Sequence, residues 1–167
     1  MKTLLLLRHA KTEKAAPKGD EARALTKRGE RDAGTIGRKI GELMGHPDII
    51  VASNARRAQQ TAEIVAKEIG FAERVTTEPA IYAAYPDELL RVIRHLPDGA
   101  GSALLIGHNP GFEDLADELS GVDAPYPHLP TAGVAYFVFD VERWRDVRAG
   151  AGELKGIYST KDLEGGL

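Results

Sequence analysis

The sequence predicts a single α/β domain, a three-layer sandwich in which a mostly parallel central sheet carries helices on both faces. Short continuous apolar runs, typical of strands buried on both faces, alternate with longer segments whose apolar residues recur at helical spacing. The chain has 167 residues, the length of one ordinary domain. Strands that alternate with helices in this way indicate an α/β sheet covered by helices.

In the first half of the chain, apolar spacing distinguishes the strands from the helices. Ala33, Ile36 and Ile40 recur at the helical period, and Gly45 ends that helix. The unbroken run Leu4–Leu7 is too short for a helix and is typical of a buried strand. The predicted segments are, in chain order, a strand over residues 2–7, a loop over 11–26, a helix over 28–44, a strand over 49–52 and a helix over 55–69.

In the second half, prolines and glycines delimit the elements. Pro86 suits the first turn of a helix that has Leu89 and Ile93 on its apolar face. The predicted segments are, in chain order, short extended pieces at Val75 and at 81–82, a helix from Pro86 to Leu96, a strand over 103–106, a helix over 112–119, a loop over 121–132, a strand over 134–141 and an edge strand over 152–160. The domain is predicted to span residues 1–160, and residues 161–167 are predicted to be a loose C-terminal tail.

Composition excludes several classes of function. The chain has no cysteine, which excludes disulfide frameworks, thiolate metal sites and a cysteine nucleophile. No apolar run approaches ~20 residues, and the N-terminal run lacks the features of a signal peptide. We therefore predict a cytoplasmic protein without a membrane partner. No histidine pair has zinc-ligand spacing and no dinucleotide-binding turn is present, so we expect no metal and no organic cofactor.

The distribution of charge suggests an anionic ligand more than a nucleic acid. The net charge is −3, which argues against broad nucleic-acid binding. Residues 1–39 contain eleven Lys and Arg against five Asp and Glu, whereas the remainder contains eleven against twenty. Two interpretations of this asymmetry stay open, namely solvated helix faces or a basic rim around an anion site near the N-terminus.

Polar residues follow three of the predicted strands. Arg8 and His9 follow the first strand, Arg57 lies shortly after the second, and His108 follows the third. Because ligands of α/β sheets bind outside the carboxyl ends of the strands, we expect these side chains to converge. Guanidinium groups bind phosphate oxygens with a planar fork, a neutral imidazole can attack phosphorus, and a second imidazole can donate to the equatorial oxygens. The cluster therefore predicts phosphoryl transfer.

Three motifs at these positions resemble the signatures of the histidine phosphatase, or phosphoglycerate mutase-like, superfamily. Residues 8–10 (RHA) are similar to its Arg-His-Gly signature, and residues 53–62 (SNARRAQQTA) match its Ser-x-x-x-Arg-Ala-x-Gln-Thr-Ala motif. His108 lies in the matching Gly-His-Asn element, and the resemblance extends from residue 3 to about residue 140. The segments that resemble the SixA-type phosphohistidine phosphatase branch are residues 25–29, 107–111 and 129–133.

The resemblance implies a phosphoglycerate mutase-like fold and a role for each matching residue. His9 would be the nucleophile that becomes phosphorylated. Arg8 and Arg57 would bind the phosphoryl oxygens, and His108 would hydrogen-bond to them. Arg57 rather than Arg56 fills the family position, because Arg57 directly precedes the alanine of the motif.

Four further residues are candidates for the site. Lys11 either extends the basic rim or is a solvated loop lysine, and Thr131 either contacts the phosphate or shapes its loop. The superfamily places an acidic general acid between its second and third motifs, where this sequence has no clean match. Asp87 and Glu88 are the candidate proton donors there, although both also suit the first turn of a helix, where carboxylates complement the helix dipole.

The weak match for a general acid favours phosphohistidine as the substrate, because an imidazole leaves more readily than an alkoxide. We therefore expect a metal-independent phosphatase that works through a phosphohistidine intermediate and dephosphorylates a signalling protein such as a histidine phosphotransfer domain. Phosphate and sulfate are expected to inhibit it. Two alternatives stay open: a phosphomonoesterase acting on a small molecule such as a phosphosugar or nucleotide, and a phospho-anion binding module without turnover.

Overall fold

A six-stranded mixed sheet forms the centre of the protein. The computed structural model describes residues 1–165. Its strands are β1 (Lys2–Arg8), β2 (Ile49–Ala52), β3 (Thr76–Thr77), β4 (Ser102–Gly107), β5 (Val134–Phe139) and β6 (Gly152–Tyr158). They lie in the order β3-β2-β4-β1-β5-β6. The pairs among the first four of these strands are parallel, whereas β5 pairs antiparallel with β1 and β6 pairs antiparallel with β5. The predicted mostly parallel sheet is thus confirmed.

Helices cover both faces of this sheet. They are α1 (Lys27–Met44), α2 (Arg56–Ile69), α3 (Pro86–Arg94), α4 (Gly111–Ser120) and α5 (Thr160–Gly165). Thr26 begins α1, because its side chain accepts a hydrogen bond from Gly29 N, and Gly70 ends α2 in the left-handed conformation. The predicted helices are therefore present with boundaries that shift by a few residues at most.

Two apolar cores lie on opposite sides of the sheet, as the continuous apolar strands predict. Leu5 and Leu7 belong to the core that includes α1 and α2, whereas Leu4 and Leu6 belong to the core with α3 and α4. All four leucines are fully buried. Because successive side chains of a strand point to opposite faces, only a strand covered on both sides needs an unbroken apolar run.

The structure differs from the sequence-based prediction in three places. Ile81 does not lie in an extended piece but ends a one-turn 3₁₀ helix, since Pro79 restricts the backbone and the Glu78 side chain accepts from Ala80 N. The last two strands each end two residues earlier than predicted, since β5 ends at Phe139 rather than at residue 141 and β6 ends at Tyr158 rather than at residue 160. The predicted loose tail is helical as far as Gly165, and residues 166 and 167 lie outside the described residues. Within residues 1–165 no helix is long and apolar enough to cross a membrane, and the cytoplasmic location stays a prediction.

The pairing of β1, β2 and β4 brings three chain segments to one edge of the sheet. Arg8 of β1 lies opposite Gly107 of β4, and Ala52 of β2 lies opposite Ile106. The backbone N–H of His9 donates to Gly107 O at 3.0 Å. The residues that follow these strands are therefore neighbours in space, as the rule for ligand sites in α/β sheets requires.

Glycine is required where the backbone approaches closely near this edge. A side chain at Gly107 would collide with Phe112 at 2.6 Å and with Ile81 at 2.7 Å. A side chain at Gly29 would collide with the carbonyl of Lys11, so this glycine lets the loop after β1 pack against the first turn of α1. Both contacts hold the backbone around the strand ends in place.

Candidate active site

The structure brings His9, Arg57 and His108 together at the carboxyl edge of the sheet. The ring centroids of His9 and His108 are 5.3 Å apart. Tyr82 connects the group, because its ring lies edge-on to His108 at 5.5 Å and beneath the Arg57 guanidinium at 5.9 Å. The convergence predicted from the strand ends is therefore present, and Arg8 joins it from the end of β1.

His9 is held in the orientation and protonation state of a nucleophile. Its Nδ1 lies 2.8 Å from Ala10 O. Because a carbonyl oxygen can only accept, Nδ1 carries the proton and Nε2 has the free lone pair. Burial, followed by the charges of Arg57 and Arg8, lowers the pKa of His9 to about 4 against the opposing hydrogen bond to Ala10. His9 is therefore neutral at physiological pH.

His108 is oriented as a hydrogen-bond donor by Ser53. The Ser53 hydroxyl accepts from Ala55 N at 3.2 Å and lies 2.7 Å from His108 Nε2. We assign the hydroxyl proton to this second contact, which leaves the imidazole proton on Nδ1. Burial, with smaller contributions from His9 and Arg57, lowers the pKa of His108 to about 3, so the ring is a neutral donor.

Each arginine is anchored through one end of its guanidinium. Arg8 donates from Nη1 to Leu129 O at 3.1 Å. Arg57 donates from Nη1 to Asp20 O at 2.8 Å and from Nη2 to Asp20 Oδ2 at 3.1 Å. Arg57 is only 5% exposed, as expected of the residue in the motif position, whereas Arg56 is exposed.

Three buried donors at this edge have no acceptor within the described part of the chain: Arg8 Nε, Arg57 Nε and His108 Nδ1. Buried polar groups nearly always have a partner, so such a set indicates a missing ligand. The ligand must accept several hydrogen bonds and carry negative charge. A tetrahedral oxyanion such as a phosphoryl group meets both requirements.

Asp20 and Tyr82 are site residues that the sequence did not reveal. The Tyr82 hydroxyl donates to Asp20 Oδ2 at 2.5 Å, and this bond, followed by Arg57, lowers the pKa of Asp20. The same bond raises the pKa of Tyr82. Asp20 begins a one-turn 3₁₀ helix, Asp20–Ala22, in the polar segment that follows β1, where no periodic pattern indicates which side chain turns toward the site.

A second carboxylate, Glu113 of α4, positions Arg8 indirectly. Its Oε2 accepts from Leu129 N at 2.8 Å and from Asn109 Nδ2 at 2.9 Å. Asn109 Nδ2 also donates to Leu129 O at 2.8 Å, the same carbonyl that accepts from Arg8. Glu113 therefore holds the Leu129 peptide in the orientation that anchors the guanidinium.

Replacing Glu113 by glutamine is expected to weaken phosphate binding by about tenfold, because an uncharged amide oxygen accepts from Leu129 N and Asn109 Nδ2 more weakly than a carboxylate oxygen does. The measurement is the inhibition constant for inorganic phosphate. Glu118→Gln, an exposed position on the same helix, is the matched control and should leave that constant unchanged. An unaltered constant in Glu113→Gln would remove Glu113 from the positioning of Arg8.

Four further predicted site residues make other contacts in the structure, and their part in the site stays a prediction. Lys11 and Thr131 line a separate cavity of about 380 Å³ with Arg28 and Asp32. Glu88 accepts from Tyr85 N at 3.0 Å and caps α3. Asp87 is exposed in the first turn of the same helix. For these two residues, the helix-dipole interpretation matches the structure.

Comparisons with known proteins identify the family to which the chain belongs. Residues 4–82 match the family model of the histidine phosphatase superfamily, branch 1. An uncharacterized protein of Mycobacterium tuberculosis is 31% identical over 164 residues, which cover 91% of this chain and 98% of that protein.

Solved structures of similar fold include the protein histidine phosphatase SixA complexed with tungstate, which is 21% identical. The match has a TM-score of 0.84 and covers 96% of this chain and 99% of SixA. A SixA-type protein from Agrobacterium tumefaciens is 26% identical, with a TM-score of 0.78 and coverage of 95% and 97%. The predicted phosphoglycerate mutase-like fold is thereby confirmed, and the chain belongs to the histidine phosphatase superfamily, in its SixA-type branch.

Proposed function

We propose that this phosphatase removes the phosphoryl group from phosphohistidine on a signalling protein, through a covalent intermediate on His9. The observation that carries the proposal is that three buried donors, Arg8 Nε, Arg57 Nε and His108 Nδ1, have no partner within the described residues. The neighbouring imidazoles of His9 and His108 are neutral. The tungstate in the similar SixA structure is also a tetrahedral oxyanion, which supports phosphate, sulfate and tungstate as inhibitors here.

In the first step, Nε2 of His9 forms a bond to phosphorus while the P–N bond of the substrate breaks. The electron pair of that bond stays on the departing imidazole nitrogen. Because the substrate ring carries a proton on its other nitrogen before cleavage, it leaves as a neutral imidazole without a protein acid. Arg8, Arg57 and His108 donate to the phosphoryl oxygens as charge spreads over them.

In the second step, water attacks the phosphorus of phosphorylated His9. The water oxygen joins phosphorus, both protons leave with the product as dihydrogen phosphate, and the electron pair returns to Nε2. The hydrogen bond from Nδ1 to Ala10 O keeps the ring orientation and tautomer through both steps. The enzyme is thus restored to its starting state.

The properties of Asp20 favour a good leaving group over an alkoxide. Asp20 is the carboxylate that contacts Arg57, and its hydrogen bonds lower its pKa. A carboxylate with a lowered pKa is ionised at neutral pH and is therefore a poor proton donor. Departure of an alkoxide needs such a donor, whereas departure of a protonated imidazole does not.

A hydrolysis screen tests the proposal directly. A phosphorylated histidine phosphotransfer domain, a phosphosugar and a nucleotide monophosphate are compared at equal concentration by phosphate release. The phosphohistidine protein should give the highest kcat/KM. A higher value for either small molecule would establish the phosphomonoesterase alternative, and phosphate binding without release from any substrate would indicate a binding module.

The imidazoles of His9 and His108 should titrate well below an ordinary histidine. Their pKa values of about 4 and about 3 lie under the ordinary 6.5. Between these values the unfolded chain binds more protons than the folded chain, so the free energy of unfolding should decrease as pH falls from about 6.5 toward 4. NMR titration of the imidazole signals checks this. Titration of His9 near 6.5 would contradict the described environment.

Turnover should not depend on a metal ion, because Arg8, Arg57 and His108 supply the charge stabilisation that metals provide in other phosphatases. Among residues 1–165 no cluster of three or more His, Cys, Asp or Glu is arranged to hold a metal. Phosphate release is measured with EDTA and with added magnesium, and neither should change the rate. Loss of activity in EDTA that magnesium restores would refute the mechanism.

A further inference from the structure

A cleft of about 380 Å³ opens beside the phosphoryl site. Arg57 and His108, whose Nε and Nδ1 atoms are buried without a partner, are among its lining residues. From there the cleft continues along residues 82–86 and reaches Asp114 in the first turn of α4. A phosphoryl group bound to Arg57 and His108 therefore has its leaving group in or along this cleft.

The charges that line the cleft are unfavourable for a second anion. Arg57 is the one cation among the described lining residues, and the phosphoryl group itself uses it. Asp20 and Asp114 are the two carboxylates. Asp20 is paired with Arg57 and with Arg23, at 3.1 and 3.0 Å, which leaves Asp114 without a cationic partner among the ion pairs of residues 1–165.

Asp114 is held at its place by a loop residue. The Tyr126 hydroxyl donates to Asp114 Oδ1 at 2.6 Å. The N-terminus of α4, which by itself favours an anion, begins beside the cleft, but Glu113 and Asp114 in its first turn offset that dipole. A negative group on the substrate would therefore meet a carboxylate rather than a donor at this end.

The remaining walls are suited to a flat, uncharged group. Tyr82 turns its ring toward the site, and its hydroxyl is already bonded to Asp20. Tyr85 stands 73% exposed at the rim, and Pro86 and Pro110 lack a backbone N–H. Aromatic and proline surfaces pack against a ring and attract a cation more than an anion.

We infer that Asp114 makes this cleft selective for phosphorylated compounds whose leaving group is neutral or cationic, and against those that carry a second anionic group. The inference rests on the proposed function, since it names the substrate class that the same site accepts. Phosphohistidine flanked by basic residues meets the requirement, whereas a phosphorylated carboxylic acid does not.

Three small phosphomonoesters with different leaving-group charge test the inference. The leaving group of phosphocholine is a cation, that of glycerol 3-phosphate is uncharged and that of 3-phosphoglycerate carries a carboxylate. Dissociation constants are measured by calorimetry with the full chain. Phosphocholine should bind about tenfold more tightly than 3-phosphoglycerate, with glycerol 3-phosphate between them, because a carboxylate within a few ångströms contributes an effect of this order.

Asp114→Asn should reduce that ratio to about threefold or less, because the charge that sets it is gone. Inorganic phosphate has no leaving group, so its dissociation constant should stay unchanged and verifies an intact site. Asp117→Asn on the same helix, which lines a different cavity, should keep the wild-type ratio. Tyr126→Phe removes the hydroxyl that holds Asp114 but keeps its charge, so it should reduce the ratio less than Asp114→Asn does.

Equal dissociation constants across the charge series in the wild-type protein would overturn the inference. A ratio that Asp114→Asn leaves intact, or that Tyr126→Phe reduces as much as Asp114→Asn does, would also overturn it. Because binding needs no turnover, a flat series in an enzyme that passes the phosphohistidine screen refutes the selectivity alone. Charge selection in a protein that fails the screen would refute only the proposed reaction.

Discussion

Replacing His9 by alanine is expected to reduce turnover to less than about one hundredth of the wild-type value, since loss of a covalent nucleophile typically costs far more than that. The side chain lies at the edge of the sheet rather than in either apolar core, so the fold should persist. Phosphate release and the thermal unfolding curve are the two measurements. More than a hundredth of the activity would exclude the covalent mechanism.

A trapping experiment separates the nucleophile from a binding role. Rapid acid-free quenching of wild-type enzyme with radiolabelled substrate should yield labelled protein, and His9→Ala should yield none. His95→Ala, which changes an exposed histidine at the end of α3, is the matched control and should retain both label and turnover. Label that persists in His9→Ala would assign the nucleophile to another residue.

Arg57→Lys is expected to lose nearly as much activity as Arg57→Ala. Arg57 uses Nη1 and Nη2 for Asp20 and keeps Nε for the ligand. A lysine has the charge but a single donor group, so it cannot hold Asp20 and the phosphoryl group with the same geometry. Both variants should therefore show a decrease in kcat/KM of about a hundredfold or more, on the scale of removing one donor to the transition state.

The neighbouring residue provides the control for this position. Arg56 begins α2 and is exposed, so Arg56→Ala should remain close to wild type in kcat/KM. A severe loss in Arg56→Ala together with a mild loss in Arg57→Lys would mean that the other arginine binds the phosphoryl group. Comparable values for Arg57→Lys and wild type would show that charge alone suffices at this position.

Much of the fold was predictable because the apolar residues of its strands and helices recur at regular intervals. Leu4–Leu7 and residues 103–106 are unbroken apolar runs, which require helices on both faces of the sheet. The site residues that follow these strands were predictable for the same reason, since parallel strands end at one edge. His9 and His108 are therefore adjacent in space although 99 positions separate them in the sequence.

The surroundings of those residues were decided by tertiary packing. Asp20 begins a one-turn 3₁₀ helix, Tyr82 follows another and Glu113 lies in α4, and no local pattern connects them to Arg8 or Arg57. Glu113 acts only because the loop that carries Leu129 folds back across α4. Such contacts depend on how separate segments meet, which short-range propensities do not determine.

The sequence by itself determined the sheet, its covering helices and the four motif side chains at its edge, because strand and helix periods and strand direction are local properties. Only the tertiary structure decided which carboxylates anchor the arginines and that Asp114 lines the cleft beside them. These features depend on distances between residues far apart in the chain. The folded arrangement of the loops sets those distances, and with them the charge that a substrate meets.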